Sequence, residues 1–285
     1  MRTVDRHEID TAFAARQVDN LQSGVESSLA NVEQYPEALN LLLSTSLMVA
    51  GYRCALDPIA AHGPTWESVI LPMQVGAAMF AAANRTEGTV ECRIDTQTLQ
   101  IKATGQQYWT EAGNWLTAFY LAMTCRERER TDLLSATPVD LLRTTGNPYS
   151  PYDYAWIETL QMVWRREPGH YEKLLEAIAG TDPATIPADM HELVLFRLYP
   201  PMKMLGFLLS GEHDNFNDAL YEALDLHRQY WTRTPDRAKR PEGFLALGIL
   251  AIASLANEIG VPIDVESPYI PTQLVQGARI GEFKT

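Results

Sequence analysis

Residues 10–32 read Asp-Thr-Ala-Phe-Ala-Ala-Arg-Gln-Val-Asp-Asn-Leu-Gln-Ser-Gly-Val-Glu-Ser-Ser-Leu-Ala-Asn-Val. Within them Ala14, Val18, Leu21, Val25, Leu29 and Val32 recur at steps of three and four. That is the period of a helix with one apolar stripe. Asp10 stands where a helix N-cap belongs. The same period continues outward. Pro36 sits at a first helical position, and Leu39, Leu43, Leu47, Ala50 and Cys54 make a second stripe, which Asp57-Pro58 ends. A third helix is expected from near Thr65 to about Ala83. Pro72 is expected to kink it, because proline removes a backbone donor and crowds the preceding turn.

The period then changes. Val90, Cys92 and Ile94 alternate with Glu91, Arg93 and Asp95, and Leu99, Ile101 and Ala103 alternate again after Thr96-Gln97-Thr98. Period two on both sides of a short polar turn predicts a β-hairpin near residues 89–103. A lone hairpin is marginal in water, so its apolar side is expected to lie on the helices. Helical period resumes over about 111–128. Short helices are expected at about 129–135 and 138–144. A loop from Asn147 to Tyr154 then leads into a helix carrying Trp156, Leu160 and Trp164, which Pro168-Gly169 stops. Further helices are expected at about 170–179, 188–199, 201–210, 214–232 and 242–259, with Pro200-Pro201 forcing a break. Residues 261–268 read as extended, with a last short helix near 271–277. No fixed-period repeat and no Gly/Ser- or Pro-rich linker interrupts the chain. The expectation is a mainly α fold: a single multi-helix domain over 1–285 with one small inserted hairpin.

Composition sets the outer bounds. The chain has 285 residues, 46% hydrophobic and 21% charged, an ordinary globular balance. Surface scaling allows about three quarters of the unfolded chain's area to be buried. The net charge of −13 argues against direct binding to nucleic acid or anionic lipid and suits a basic protein partner. The first residues carry no secretory h-region, and the longest apolar runs fall short of the roughly 20 residues of a membrane span. Cys54, Cys92 and Cys125 are odd in number and far apart, which fits neither a disulfide framework nor a zinc site. A cytoplasmic setting follows as the expectation. Only five of the 23 basic residues are lysine, and this Arg- and Ala-rich usage reads as a high-GC bacterial composition.

The motifs of catalysis are missing. The sequence contains no phosphate-cradling glycine loop, no G-x-S-x-G elbow and no H-E-x-x-H. Its six histidines form no metal-ligand spacing, and no cofactor is expected. Some features remain. Tyr149, Tyr152, Asp153 and Tyr154 combine rigid aromatic area with an acid, which suits a binding hot spot and equally suits the cap of the next helix. Glu91 and Asp95 are candidate partner contacts on the hairpin. Asn114, Trp115, His227 and Trp231 are candidate pocket residues, if their polar tips converge between helices; core packing is the plain alternative. Arg228, Arg233, Arg237, Lys239 and Arg240 make a local basic patch, readable as an anion site or as a solvated turn.

Several blocks together carry a resemblance. They are Val90-Glu91-Cys92-Arg93-Ile94, the run from Glu111 to Phe119, Leu198-Tyr199-Pro200-Pro201 and the run from Phe216 to Leu220 leading to Leu226-His227 and Tyr230-Trp231. Gly243 to Gly248 and Val265-Glu266-Ser267-Pro268-Tyr269 complete the set. Over about residues 5–283 the chain resembles the immunity protein 49 family of streptomycetes and other actinobacteria. That resemblance implies an antidote in a polymorphic-toxin system, which binds a cognate toxin domain and blocks it. None of the blocks is a catalytic signature, and the resemblance brings no contact residues with it. An acidic inhibitor suits a basic nuclease as the toxin. A helical small-molecule binder or enzyme, in a natural-product setting, is the alternative.

Overall fold

The computed structural model describes residues 1–143 and 149–285. A two-residue strand, β1 (Arg2–Thr3), precedes three long helices: α1 (Thr11–Asn31), α2 (Ala38–Leu56) and α3 (Gly63–Ala83). The hairpin β2 (Thr89–Ile94) and β3 (Gln97–Lys102) follows. Then come α4 (Ala112–Thr124), α5 (Arg128–Ser135), a 3-10 turn over Val139–Leu142, α6 (Pro151–Arg165) and α7 (His170–Ala179). A further 3-10 turn opens a helical run of α8 (His191–Leu193), a π-helical turn (Val194–Leu198) and α9 (Tyr199–Leu209). The chain ends with α10 (His213–Thr232), α11 (Pro235–Ala238), α12 (Leu247–Glu258), β4 (Val265–Glu266) and α13 (Thr272–Gln276). The fold is mainly α.

The long helices bury the faces that their sequences prescribe. On α1, Ala14, Val18 and Val25 are buried, and the Asp10 carboxylate accepts the Phe13 N–H at 2.8 Å. α1 packs on α2, α2 on α3, and α3 on α4. One contiguous apolar core runs from Val4 to Val275. By length and composition α2 and α3 are apolar enough to cross a membrane, but 61% and 83% of their most apolar windows lie buried inside the fold. Their hydrophobicity is used by protein neighbours. α3 continues through Pro72, held between α2 and α4.

The structure departs from the sequence reading in several places. The hairpin turns at Asp95-Thr96, tighter than Thr96-Gln97-Thr98, with Ile94 paired to Gln97 and Val90 to Ile101. Asp95 takes the left-handed backbone (φ 55°) that closes so short a loop, a conformation aspartate tolerates better than most residues. The helix expected over 111–128 ends early, at Thr124, and α5 (Arg128–Ser135) is the short helix expected at about 129–135. α4 ends with Arg126 at φ 53°, its N–H on the Met123 carbonyl and the Glu127 N–H on the Ala122 carbonyl. That is a Schellman closure with arginine where glycine is usual. Pro200-Pro201 does not break its helix. The widened turn before it, with the Tyr199 N–H reaching Val194, accommodates two residues that lack donors and crowd a normal turn. The short helix expected over 138–144 is a 3-10 turn over Val139–Leu142; Thr144, Gly146, Asn147 and Pro148 lie outside the described residues. A feature without local signal is the parallel pairing of β1 with β4, Arg2 against Val265.

Arg126 explains its own strained backbone. Its guanidinium donates to the carbonyls of Thr124 (2.6 Å), Leu274 (2.7 Å), Ser254 (3.4 Å) and Val275. It therefore joins the ends of α4 and α13 to α12. Left-handed backbone costs a non-glycine residue about 1–2 kcal/mol, and each charged hydrogen bond in a half-buried site returns about as much. Arg126→Met is expected to lower unfolding stability by about 3 kcal/mol in urea titrations, and Arg126→Lys to recover little, since an ammonium lacks the planar fork. Gly51 supplies a second check. A Cβ there would lie 2.3 Å from the Pro241 carbonyl oxygen, a backbone atom that no rotamer change moves. Gly51→Ala gains up to about 1 kcal/mol in helix propensity but meets an overpacking cost of about 1–3 kcal/mol. A net loss is expected in the same titration.

Candidate functional site

A cleft of about 620 Å³ opens between α1, α2, α3, the hairpin turn and the C-terminal residues 282–284. Its apolar lining comes from the helical stripes: Val25 and Leu29 of α1, Val49 of α2, and Ile70 of α3, with Phe283 opposite. Gln74, 1% exposed, fixes its far wall. The Gln74 amide oxygen accepts the Asp95 N–H at 2.7 Å, and its nitrogen reaches the Lys284 carbonyl at 3.5 Å. One buried amide on α3 thus positions both the hairpin turn and the C-terminal segment.

The charge around this cleft is organised. Asp19, Glu26 and Glu33 recur every seven residues, so they follow one line along the outside of α1 and onto the turn just past its end. Glu33 accepts the Gln100 N–H at 2.6 Å, and the Gln100 side chain donates to Glu91 at 2.9 Å. Gln100 therefore holds α1 and the hairpin side by side with two carboxylates between them. Glu26, Glu67 and Asp95 line the cleft itself. Among the described residues none of these six acids makes an ion pair. Arg53, Arg93 and Lys284 also line the cleft and are likewise without ion pairs.

The structure separates the sequence-predicted residues by environment. Glu91 and Asp95 are exposed beside the cleft. Tyr152, Asp153 and Tyr154 are buried, and Tyr149 is half-buried. Asp153 accepts the Ser150 N–H at 2.9 Å and closes a capping box at the start of α6. Burial, with Glu111 nearby, raises its pKa to about 6 against the hydrogen bond's opposite pull. Burial and Glu111 likewise push the Tyr149 hydroxyl well above its ordinary range. Arg143 covers the Tyr154 ring at 3.9 Å. Here the aromatic loop serves the helix start, and only Tyr149 retains appreciable exposure.

The four pocket candidates form two separate pairs. At the start of α4, Asn114 donates to the Trp109 carbonyl at 2.8 Å, while Trp115 stacks on Phe119 at 4.6 Å and donates to the Leu134 carbonyl at 3.0 Å. Toward the end of α10, His227 bonds the Gly243 carbonyl at 3.0 Å and lies 4.8 Å from the Tyr269 ring and 6.1 Å from Trp231. No hydrogen bond or ring contact among the described residues joins one pair to the other, and neither pair lines the cleft. The basic patch is largely paired within the fold: Arg228 with Asp225 at 2.6 Å and Arg237 with Glu192 at 3.0 Å. The cleft and the α1 stripe were not singled out from sequence, although the seven-residue spacing of Asp19, Glu26 and Glu33 is visible there.

A family model described as Immunity protein 49 matches residues 57–274. The chain belongs to the immunity protein 49 family. No curated protein and no solved structure matches it. Membership makes this an immunity-type protein with, in general terms, a toxin partner, and it favours binding over catalysis. The matched stretch is shorter than the resemblance over 5–283. It takes in α3 and the hairpin and leaves α1 outside.

The nucleophilic groups are withdrawn. Cys54, Cys92 and Cys125 are buried and free, and burial pushes the Cys54 and Cys125 thiols up to about 12. Among the described residues no group of three or more His, Cys, Asp or Glu side chains is placed to hold a metal. Burial lowers the His227 pKa to about 3, more than its Gly243 bond raises it. The folded state thus refuses a proton that the unfolded chain accepts below about 6.5, so this residue's contribution is lost as pH falls from about 6.5 toward 3. The ring resonances of His227 are expected to stay flat from pH 8 to 5 in an NMR titration. A midpoint near neutrality would show the ring to be solvated.

Proposed function

We propose that this protein neutralises a cognate toxin domain by binding it and occluding its working surface, inside the cell that makes both. The family match over residues 57–274 carries this reading. The net charge of −13 supports a basic toxin, and a nuclease is the natural class, because a surface that grips phosphates must be positive. Charge complementarity of this kind speeds encounter and rejects wrong partners. Occlusion also needs no reactive group on the inhibitor, in keeping with thiols that are buried and a histidine held neutral.

Co-expression with the toxin domain encoded beside this gene is expected to rescue growth. Calorimetry on the purified pair is expected to give a one-to-one complex of nanomolar Kd or tighter, about −12 kcal/mol. Absence of both rescue and complex would overturn the proposal.

A further inference from the structure

We infer that the toxin docks on the cleft bounded by α1, α3 and the hairpin, and that the cleft takes an extended basic segment of that partner. This rests on the toxin-binding reading above. Three observations carry it. The cleft is large enough, at about 620 Å³, to receive an anchoring side chain, and Val25, Leu29, Val49, Ile70 and Phe283 give it an apolar lining. Its surroundings supply charge that the fold leaves free. Every ion pair among the described residues uses Arg2 or lies entirely beyond residue 127. Asp19, Glu26, Glu33, Glu67, Glu91 and Asp95 therefore present a negative field that no lysine or arginine among the described residues neutralises at contact distance.

The third observation selects the occupant. Arg53, Arg93 and Lys284 line the same cleft, so a bare cation or a polyamine would meet repulsion there as well as attraction. An extended polypeptide meets both needs. Its basic side chains face the carboxylates, and its backbone carbonyls offer acceptors to the three cations. Asp19, Glu26 and Glu33, three of these six acids, precede the matched stretch, so family membership does not itself imply this surface.

The test reverses charge without touching the core. Asp19 and Glu26 on α1 and Glu33 just past its end are exposed, and a triple variant changing each to lysine is compared with a control changing exposed Glu172, Asp189 and Glu266 to lysine. Both alter net charge equally, and circular dichroism with thermal melts confirms the fold of each. Association with the neighbouring-gene toxin is expected to slow about tenfold or more for the α1 variant at low salt, and less than about twofold for the control. A second arm needs no toxin. A capped hexapeptide alternating leucine with arginine is titrated into isotope-labelled protein, and amide shifts are expected in α1, the hairpin turn and residues 282–284. Equal slowing by both variants, or peptide shifts elsewhere or nowhere, would overturn the inference while the toxin complex stands. Peptide shifts confined to the cleft, with no toxin complex for the unaltered protein, would sustain the cleft as a basic-segment site and remove the toxin reading.

Discussion

Helical arrays share one difficulty: the last carbonyls of every helix have no partner inside that helix. In this protein guanidinium groups from elsewhere in the chain supply several of them. Arg6 donates to Cys54 and Ala55 at the end of α2, at 2.9 and 2.7 Å. Arg165 donates to Ser135 at the end of α5, and Arg126 serves the ends of α4 and α13 together. A positive group there also meets the negative pole of the helix dipole. Each arginine is both a cap and a tie between distant segments. The scarcity of lysine, which reads as genome composition, also has a structural use, since the rigid planar fork with five donors holds widely spaced carbonyls in a fixed geometry that a compact ammonium does not.

That dependence explains how far the fold was legible. Stripes such as Ala14 to Val32 gave α1 because helical period is a local property. Alternation gave the hairpin for the same reason. The end of α4 at Thr124, some four residues before the expected one, has no glycine or proline to announce it. It is stabilised by carbonyls about 130 and 150 residues away, which no window of sequence contains. The π-turn before Pro200 and the pairing of β1 with β4 are settled by tertiary contacts in the same way. Element types were therefore readable, and some of their junctions were not.

The candidate site shows the same division. Glu91 was legible as an outward residue because strand alternation assigns faces. Asp95 reads from sequence as an outward strand residue, but in the fold it is the first residue of the turn. Tyr152 and Tyr154 were ambiguous because a tyrosine ring serves a core as well as a surface. Asn114, Trp115, His227 and Trp231 each suggested a pocket. Helical period says which residues point inward, but not which helix they meet. The cleft is an assembly of three helices, a turn and the C-terminal segment, so its shape belongs to none of them singly.

The pairing of β1 with β4 has a consequence for synthesis. Residue 2 finds its partner only after residue 265 has been made. At about 5–20 residues per second the ribosome takes roughly 15–50 s to cover that distance. Through that interval Arg2 also lacks Asp264, and His7 lacks the Tyr269 hydroxyl that it meets at 2.7 Å. Arg6 can reach Cys54 and Ala55 of α2 early, but the β1 pairing itself has to wait. A chain stalled before residue 264 would thus leave β1 unpaired at its beginning as well as lacking its end.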